Sequence, residues 1–297
     1  MARWFAAAWV AVVVCGWTLE AQAEMPRDYF LNAPPAGTYA HLDAYTVGVQ
    51  ASLENRADLE EGMSMLHTRV SGIASYPYAD GSLNLDARVF LFTLGGSVGY
   101  RHVWRDHTFV AGEDKSRDAR NDREDAGNIG SQGFSYAEGR LRLVIPLDSF
   151  FMINTGTVRD EGRNDNSFDW FHATVHDGGT FYKYEGTLFF RHRDFGAIGP
   201  YLRVMDLPVT RDDGSHTRNT DLHYGLVYGT RPGFITPRGG NSDLFLLQVV
   251  TKFGDDDFGL HAYRVPMYFL AVYRASLELA DHSPTPRAPA PPPEPLP

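Results

Sequence analysis

Between residues 261 and 279 the chain sorts its side chains by parity, and that pattern limits the fold more than any other feature. The odd positions from Tyr263 read Tyr, Val, Met, Phe, Ala, Tyr, Ala, Leu, Leu, while Arg264, Tyr268, Arg274, Ser276 and Glu278 stand at even ones. A helix would scatter these residues around its circumference; an extended strand places them on two faces. Phe269 and Ala271 are therefore expected on an apolar face, with Tyr268 and Leu270 opposite.

The same sorting recurs along the chain. In 134–145, Ala137, Leu141, Leu143 and Ile145 oppose Glu138, Arg140 and Arg142. In 180–192, Tyr182, Tyr184, Leu188 and Phe190 oppose Lys183, Glu185 and Arg191. Leu222, Tyr224, Leu226 and Tyr228 oppose Asp221 and His223, and Leu66 and Val70 oppose His67 and Arg69. Helical periodicity is nearly absent downstream of residues 1–23. A soluble sandwich and a membrane barrel both generate such alternation. The segments are long for a sandwich, whose strands average about 5–6 residues. Several apolar faces carry a terminal Tyr (Tyr182, Tyr224, Tyr228, Tyr263, Tyr273), as interfacial girdles require. The aromatic share of 13% is high, and no apolar run is long enough for a membrane helix. The expected fold is all-β: an antiparallel up-and-down transmembrane β-barrel.

Ten strands are favoured, at 38–54, 62–76, 83–105, 134–147, 150–160, 180–193, 200–207, 219–231, 243–253 and 261–279. With both ends of the barrel on the periplasmic side, the long polar connections 111–132, 161–179 and 208–218 fall outside. Turns near 77–81, 146–148 and 196–200 fall on the other side, together with the longer 232–242. Segment 83–105 is too long for one strand, and its apolar phase slips near Gly95-Gly96. A bulge there keeps ten strands. A hairpin there, with 168–176 as a further strand, makes twelve.

Residues 1–23 read as a cleaved secretory leader: Arg3, a short apolar stretch from Trp4 to Trp17, then the small-x-small site Ala21-Gln22-Ala23. The single cysteine, Cys15, lies inside it. Residues 24–37 then form an N-terminal periplasmic segment, 38–279 the barrel and 280–297 a proline-rich tail that cannot join a ladder. Leader, alternating strands, Tyr-rich strand ends and long polar loops together resemble the bacterial outer-membrane β-barrel class, without a specific family. That resemblance implies the Gram-negative outer membrane as location. It implies outer-membrane lipid, lipopolysaccharide and the barrel-assembly machinery as partners; the tail adds a possible periplasmic partner. A formal charge of -10 argues against a nucleic-acid partner.

Chemistry is sparse. Asp221-Leu222-His223 is similar in spacing to the Asp-x-His pair of the omptin proteases, which pair it with a second acidic couple on a ten-stranded barrel. Asn84-Leu85-Asp86 supplies only half of that couple. His172, His176, Asp169 and Asp177 could meet around a metal if their loop were helical, but Thr, Val and Gly favour extended chain, so they are expected as solvated loop groups, as are Asp255-Asp256-Asp257 and the mixed charges of 113–125. No residue is assigned a catalytic, cofactor or metal role. The lumen is the informative constellation: Arg69, Arg88, Glu138, Arg140, Arg142, Lys183, Glu185, Arg203, Asp221, His223, Arg264 and Arg274 are expected to line it. In so narrow a barrel, paired arginines and carboxylates should plug the interior, with Lys183 and Glu185 as candidate partners for Glu138, Arg140 and Arg142. The function expected is that of a plugged structural or surface-binding barrel. A narrow anion-preferring pore is the alternative, and an outer-membrane hydrolase the third.

Overall fold

The computed structural model describes residues 36–60, 64–110, 113–114, 117–147, 149–192, 195–232, 234, 243–253 and 267–281. The leader, Arg264, Asp255-Asp256-Asp257 and the proline-rich tail lie outside these residues.

Twelve antiparallel strands close into a barrel. They are β1 (Gly37–Tyr45), β2 (Gly48–Glu60), β3 (Ser64–Ser75), β4 (Tyr78–Val89), β5 (Phe92–Asp106), β6 (Gly130–Leu147) and β7 (Phe150–Glu161), then β10 (Gly179–His192), β11 (Gly196–Thr210), β12 (His216–Thr230), β13 (Leu244–Lys252) and β14 (Met267–Asp281). Between β7 and β10, the short strands β8 (Ser167–Asp169) and β9 (Thr174–His176) form a separate two-stranded ribbon. Among the described residues one helix, α1 (Arg117–Asp125), sits in the β5–β6 connection. Strand β1 closes the ring on β14, from Gly37↔Asp281 to Tyr45↔Val272, with a bulge at Thr38/Tyr39.

The count is twelve, the alternative to the favoured ten, but neither extra hairpin lies at Gly95-Gly96. Segment 38–54 folds back at Thr46-Val47, closing on Tyr45↔Gly48. Segment 83–105 folds back at Phe90-Leu91, closing on Val89↔Phe92, and Phe90 takes the positive φ of 54° that so tight a turn needs. A two-residue turn reverses parity. Leu83, Leu85 and Val89 point outward at odd positions on β4, while Phe92, Leu94 and Val98 do so at even positions on β5. The phase slip in the sequence was thus a turn, a few residues before the glycines. Residues 168–176 add no wall strand. The extra hairpins also move the Tyr76-Pro77 turn to the end that carries the β5–β6 and β7–β10 connections, opposite to the side expected for it. At the other end, with residue 37 and residue 281, the connections after β4, β6 and β10 are two or three residues long.

The outward face is apolar around the ring: Leu42, Val49, Leu53, Val70, Leu94, Val98, Leu188, Ile198, Leu226, Phe269 and Leu277 are all exposed. A continuous belt of this kind far exceeds the patch a soluble monomer tolerates, and it matches the lipid-facing band of a membrane barrel. Replacing Val98 by Arg should cost roughly 2–4 kcal/mol of folding free energy. The inward neighbour Ser97 should accept Asn with little loss. Denaturant titration of both variants in lipid vesicles checks the assignment, which equal penalties would overturn.

Candidate functional site

The inward face is charged, and its charges fall into two zones. At the short-turn end and mid-barrel, Asp43 on β1 accepts from Arg274 Nε and Nη2 of β14 at 2.6 and 2.7 Å. Glu54 on β2 pairs with Arg56 and lies 3.3 Å from His41 Nε2. Asp86 on β4 accepts from Arg140 Nη2 of β6 at 2.9 and 3.1 Å. That bridge spans the intervening strand β5, which it can cross only because β5 presents Gly95 there. A Cβ on Gly95 would lie 1.9 Å from Asp86 Oδ1. Gly99 does the same for Tyr136, whose hydroxyl donates to Asp80 at 2.9 Å over β5.

The expected partnership of Glu138, Arg140 and Arg142 with Lys183 and Glu185 is not what forms. Glu138 lies 3.3 Å from both Arg140 and Arg159, and Lys183 pairs with Glu185 on its own strand at 3.1 Å. Neighbouring strands bring side chains together first, and the register sets Arg159 of β7, not β10, directly beside Glu138. Of the other lumen candidates, Arg203 donates to His223 Nδ1 at 2.9 Å and to Tyr268 Oη, and Asp221 pairs with Lys252 at 3.1 Å. Arg69, Arg88 and Arg142 occupy inward positions of β3, β4 and β6. The sequence reading missed Asp43, Asp80, Arg101 and Tyr201. Tyr201, whose hydroxyl donates to Glu185 at 2.6 Å, looks in sequence like the girdle tyrosines, and only its register reveals its direction.

The second zone, toward the long-loop end, is filled by the β7–β10 connection, which folds into the barrel. Its ribbon is buried throughout. Ser167 Oγ donates to Asp106 Oδ1 of β5 at 2.7 Å, and Trp170 Nε1 to the Arg105 carbonyl at 2.9 Å. On the far side, Arg203 of β11 donates to the His172 carbonyl at 3.0 Å, and Thr174 Oγ1 donates to Asp221 of β12 at 2.7 Å. Strands β5 and β12 are separated by β6, β7, β10 and β11, so the insert spans the barrel mouth. Helix α1 covers it: Glu124 accepts from Arg105 and lies 2.9 Å from His107 Nε2, while the Arg120 guanidinium stacks 4.5 Å over the Phe168 ring. Residues 117–125 of that charged segment are therefore a structured cover, not only a hydrated loop.

Asp169 is the hub of the insert. Its Oδ1 accepts from the Phe171 amide at 2.8 Å and its Oδ2 from His172 Nδ1 at 2.6 Å. Burial pushes this carboxyl up, but His172 and Arg163 outweigh burial and hold it well below the usual carboxylate range. Burial pushes His172 down to about 3, against the pull of Asp169, so a neutral imidazole donates to an ionised carboxylate. His176 Nδ1 lies 2.8 Å from the Asp177 carbonyl, and its Nε2 lies 3.2 Å from Arg163 Nη1 and 3.3 Å from Asp169 Oδ2. These groups are buried, contrary to the solvated loop expected, and the chain at 174–176 is extended as Thr and Val favour. Glu161, Asp169 and His176 offer ligand atoms within 4.8 Å of one another, as a metal site would. The Arg163 guanidinium holds the central place, 2.9 Å from Glu161 Oε2 and 3.9 Å from Asp169 Oδ2, and supplies the positive charge there. Asp177 turns away from this cluster to accept from the Asn166 amide and Thr210.

Gly95→Ala should break the Asp86–Arg140 bridge and cost about 1–3 kcal/mol in a denaturant titration. Gly96→Ala, whose added Cβ meets nothing closer than 3.6 Å, should cost much less. The insert should also loosen in acid. The unfolded histidine takes up a proton near pH 6.5 and the unfolded aspartate near 4, whereas both folded groups resist protonation, so stability falls as pH drops from about 6.5 toward 3. Acrylamide quenching of Trp170 in a Trp104→Phe background should rise across that window.

No protein-family model matches the chain, and no curated protein sequence matches it. Solved structures similar to it include LpxR from Salmonella typhimurium, 10% identical over 81% of this chain and 99% of that one, with a TM-score of 0.37. The β domain of the Bordetella autotransporter BrkA is 12% identical over 82% of this chain and 99% of that one, with a TM-score of 0.38. OmpT from Vibrio cholerae is 7% identical over 81% and 97%, with a TM-score of 0.31. All three are bacterial outer-membrane barrels.

Proposed function

We propose that this protein is an outer-membrane barrel closed to conduction, which acts through the structure it presents at the end bearing the long loops. One observation carries the reading: the β7–β10 insert crosses the mouth and is hydrogen-bonded to β5 on one side and to β11 and β12 on the other. An open channel keeps its loops against one wall or above the rim; here polar and aromatic side chains of the insert are bonded to strands on both sides of the ring. The location in a Gram-negative outer membrane, after removal of residues 1–23, is supported by the apolar belt and by the leader pattern in the sequence. Contacts with lipid, lipopolysaccharide and the assembly machinery belong to the same reading. A non-catalytic role is supported by the state of Asp221 and His223, which lie beneath the insert and are engaged by Thr174, Lys252, Arg203 and Tyr268.

Single-channel recording of the refolded protein in planar bilayers should show no reproducible steps. Replacing residues 165–177 by a short Gly-Ser linker should open the mouth and produce them. Regular steps from the unaltered protein would overturn the closed reading in favour of a narrow anion-preferring pore.

A further inference from the structure

Between the insert and the β11–β12 hairpin, the long-loop end holds a cavity of about 620 Å³. That volume is within the range of small-molecule sites. Asn166 and Val175 of the insert border it on one side; Val209 of β11, Arg211 of the turn, and Thr217 and Asn219 of β12 border it on the other. It is therefore formed only once the insert has docked against the wall.

The polar groups on its lining are held in place yet incompletely used. Asn166 is 4% exposed, and its backbone is fixed twice: its amide donates to Asp177 Oδ1 at 2.8 Å and its carbonyl accepts from the Phe109 amide at 3.0 Å. Its side-chain amide borders the cavity and makes no hydrogen bond among the described residues. A buried amide in that condition is costly unless something in the cavity completes it. The Thr217 hydroxyl and the Arg211 guanidinium also make no side-chain hydrogen bond among the described residues. Asn219 donates Nδ2 to Asp221 Oδ1 at 3.0 Å, which leaves its own Oδ1 as an acceptor.

The charges on the rim argue against an ion as the occupant. Arg218 also borders the cavity, but it donates from Nε to Asp206 Oδ2 at 2.9 Å and from Nη2 to the Asp206 carbonyl at 2.7 Å. Asp213 accepts from the amide and hydroxyl of Ser215 at 2.9 and 2.6 Å, which spends it on the hairpin. Arg211 and Asp212 then offset each other in sign. Primary amides and a hydroxyl both donate and accept, and so does every hydroxyl of a sugar. Val175 and Val209 add a small apolar surface, suited to the C–H face of a sugar ring.

We propose that this cavity binds a neutral saccharide, as a free sugar or as a residue of a glycan chain. The site gives the long-loop end a ligand class, and so rests on the reading that this end carries the function.

The test uses the full-length protein refolded in an amine-oxide detergent, which carries no sugar headgroup. Saturation-transfer-difference NMR is recorded against glucose, galactose and N-acetylglucosamine, against maltose, lactose and N,N′-diacetylchitobiose, and against alanine as a zwitterion. Saturable transfer to at least one sugar is expected, and little to alanine. A stronger response to the disaccharides marks a glycan chain as the source, and an equal one marks the free sugar. Thr217→Val keeps the side-chain shape and Asn166→Gly suits a φ of 49°, and each should weaken the apparent affinity at least about tenfold. Neither removes a side-chain hydrogen bond within the protein, so both should fold, and heat-modifiable gel migration checks this. Ser131→Ala, on the outer wall of the same end, should leave the response unchanged. No transfer to any of these sugars, transfer that survives in the double variant Asn166→Gly/Thr217→Val, or stronger transfer to alanine overturns the site. Conductance steps from a protein that binds sugar would overturn the closed mouth and leave the site standing; silent bilayers without sugar binding would do the reverse.

Discussion

Everything else in this structure depends on one ladder, the pairing of β1 with β14 from Gly37↔Asp281 to Tyr45↔Val272. Lipid offers no partner to a backbone N–H or C=O, so a sheet in a membrane must have no edge. Once the ring closes, parity becomes a property of the whole molecule: each strand has one face toward lipid and one toward the lumen, and a one-residue slip in any strand would reverse both. The bulge at Thr38/Tyr39 sits near the end of that ladder, where it perturbs the fewest pairs.

Closure forces charge inward, and the barrel handles it in two ways. Toward the plugged end, charges are dry and interlocked. Arg159 reaches Glu161 at 2.6 Å and stacks 3.7 Å over the Tyr136 ring, and Arg163 bridges Glu161, Asp169 and His176. Stripping water from such groups is costly, and their mutual pairing offsets part of that cost. Elsewhere in the lumen the pairs Asp86–Arg140 and Asp43–Arg274 are less deeply buried and join separate strands. Glycine makes the interstrand bridges possible: Gly95 and Gly99 remove side chains from β5, so that β4 and β6 can touch across it.

Several of the insert's polar groups are matched within the insert itself. Asp169 satisfies amides and an imidazole of its own turn, and Asp177 caps the Asn166 amide. The strained backbone at Asn166 and Ala173, with φ of 49° and 54°, is held by these contacts and by the ribbon pairing Phe168↔Val175. What remains exposed on the ribbon to the walls is a set of directional bonds to opposite sides, which fixes its position without a large apolar core.

The sequence by itself determined the class of fold and the facing of most side chains, because period-two alternation is a local property that any extended chain displays. Glu138, Arg140, Lys183, Glu185, Asp221 and Arg274 were legible as lumen residues for that reason, and Phe269 as a lipid-facing one. The strand number was legible only in part. A two-residue turn between strands of the same composition looks, in sequence, like a phase slip, and at Thr46-Val47 and Phe90-Leu91 no Asn-Gly or Gly-Gly pair marks it. Which charges meet was decided by the tertiary structure alone. Partners such as Asp86 and Arg140, or Asp43 and Arg274, are joined by register and closure, and these depend on how the ring closes, beyond the reach of any local pattern. The same holds for the insert: a loop rich in Asp, His and Asn reads as hydrated until the walls that satisfy it are in place.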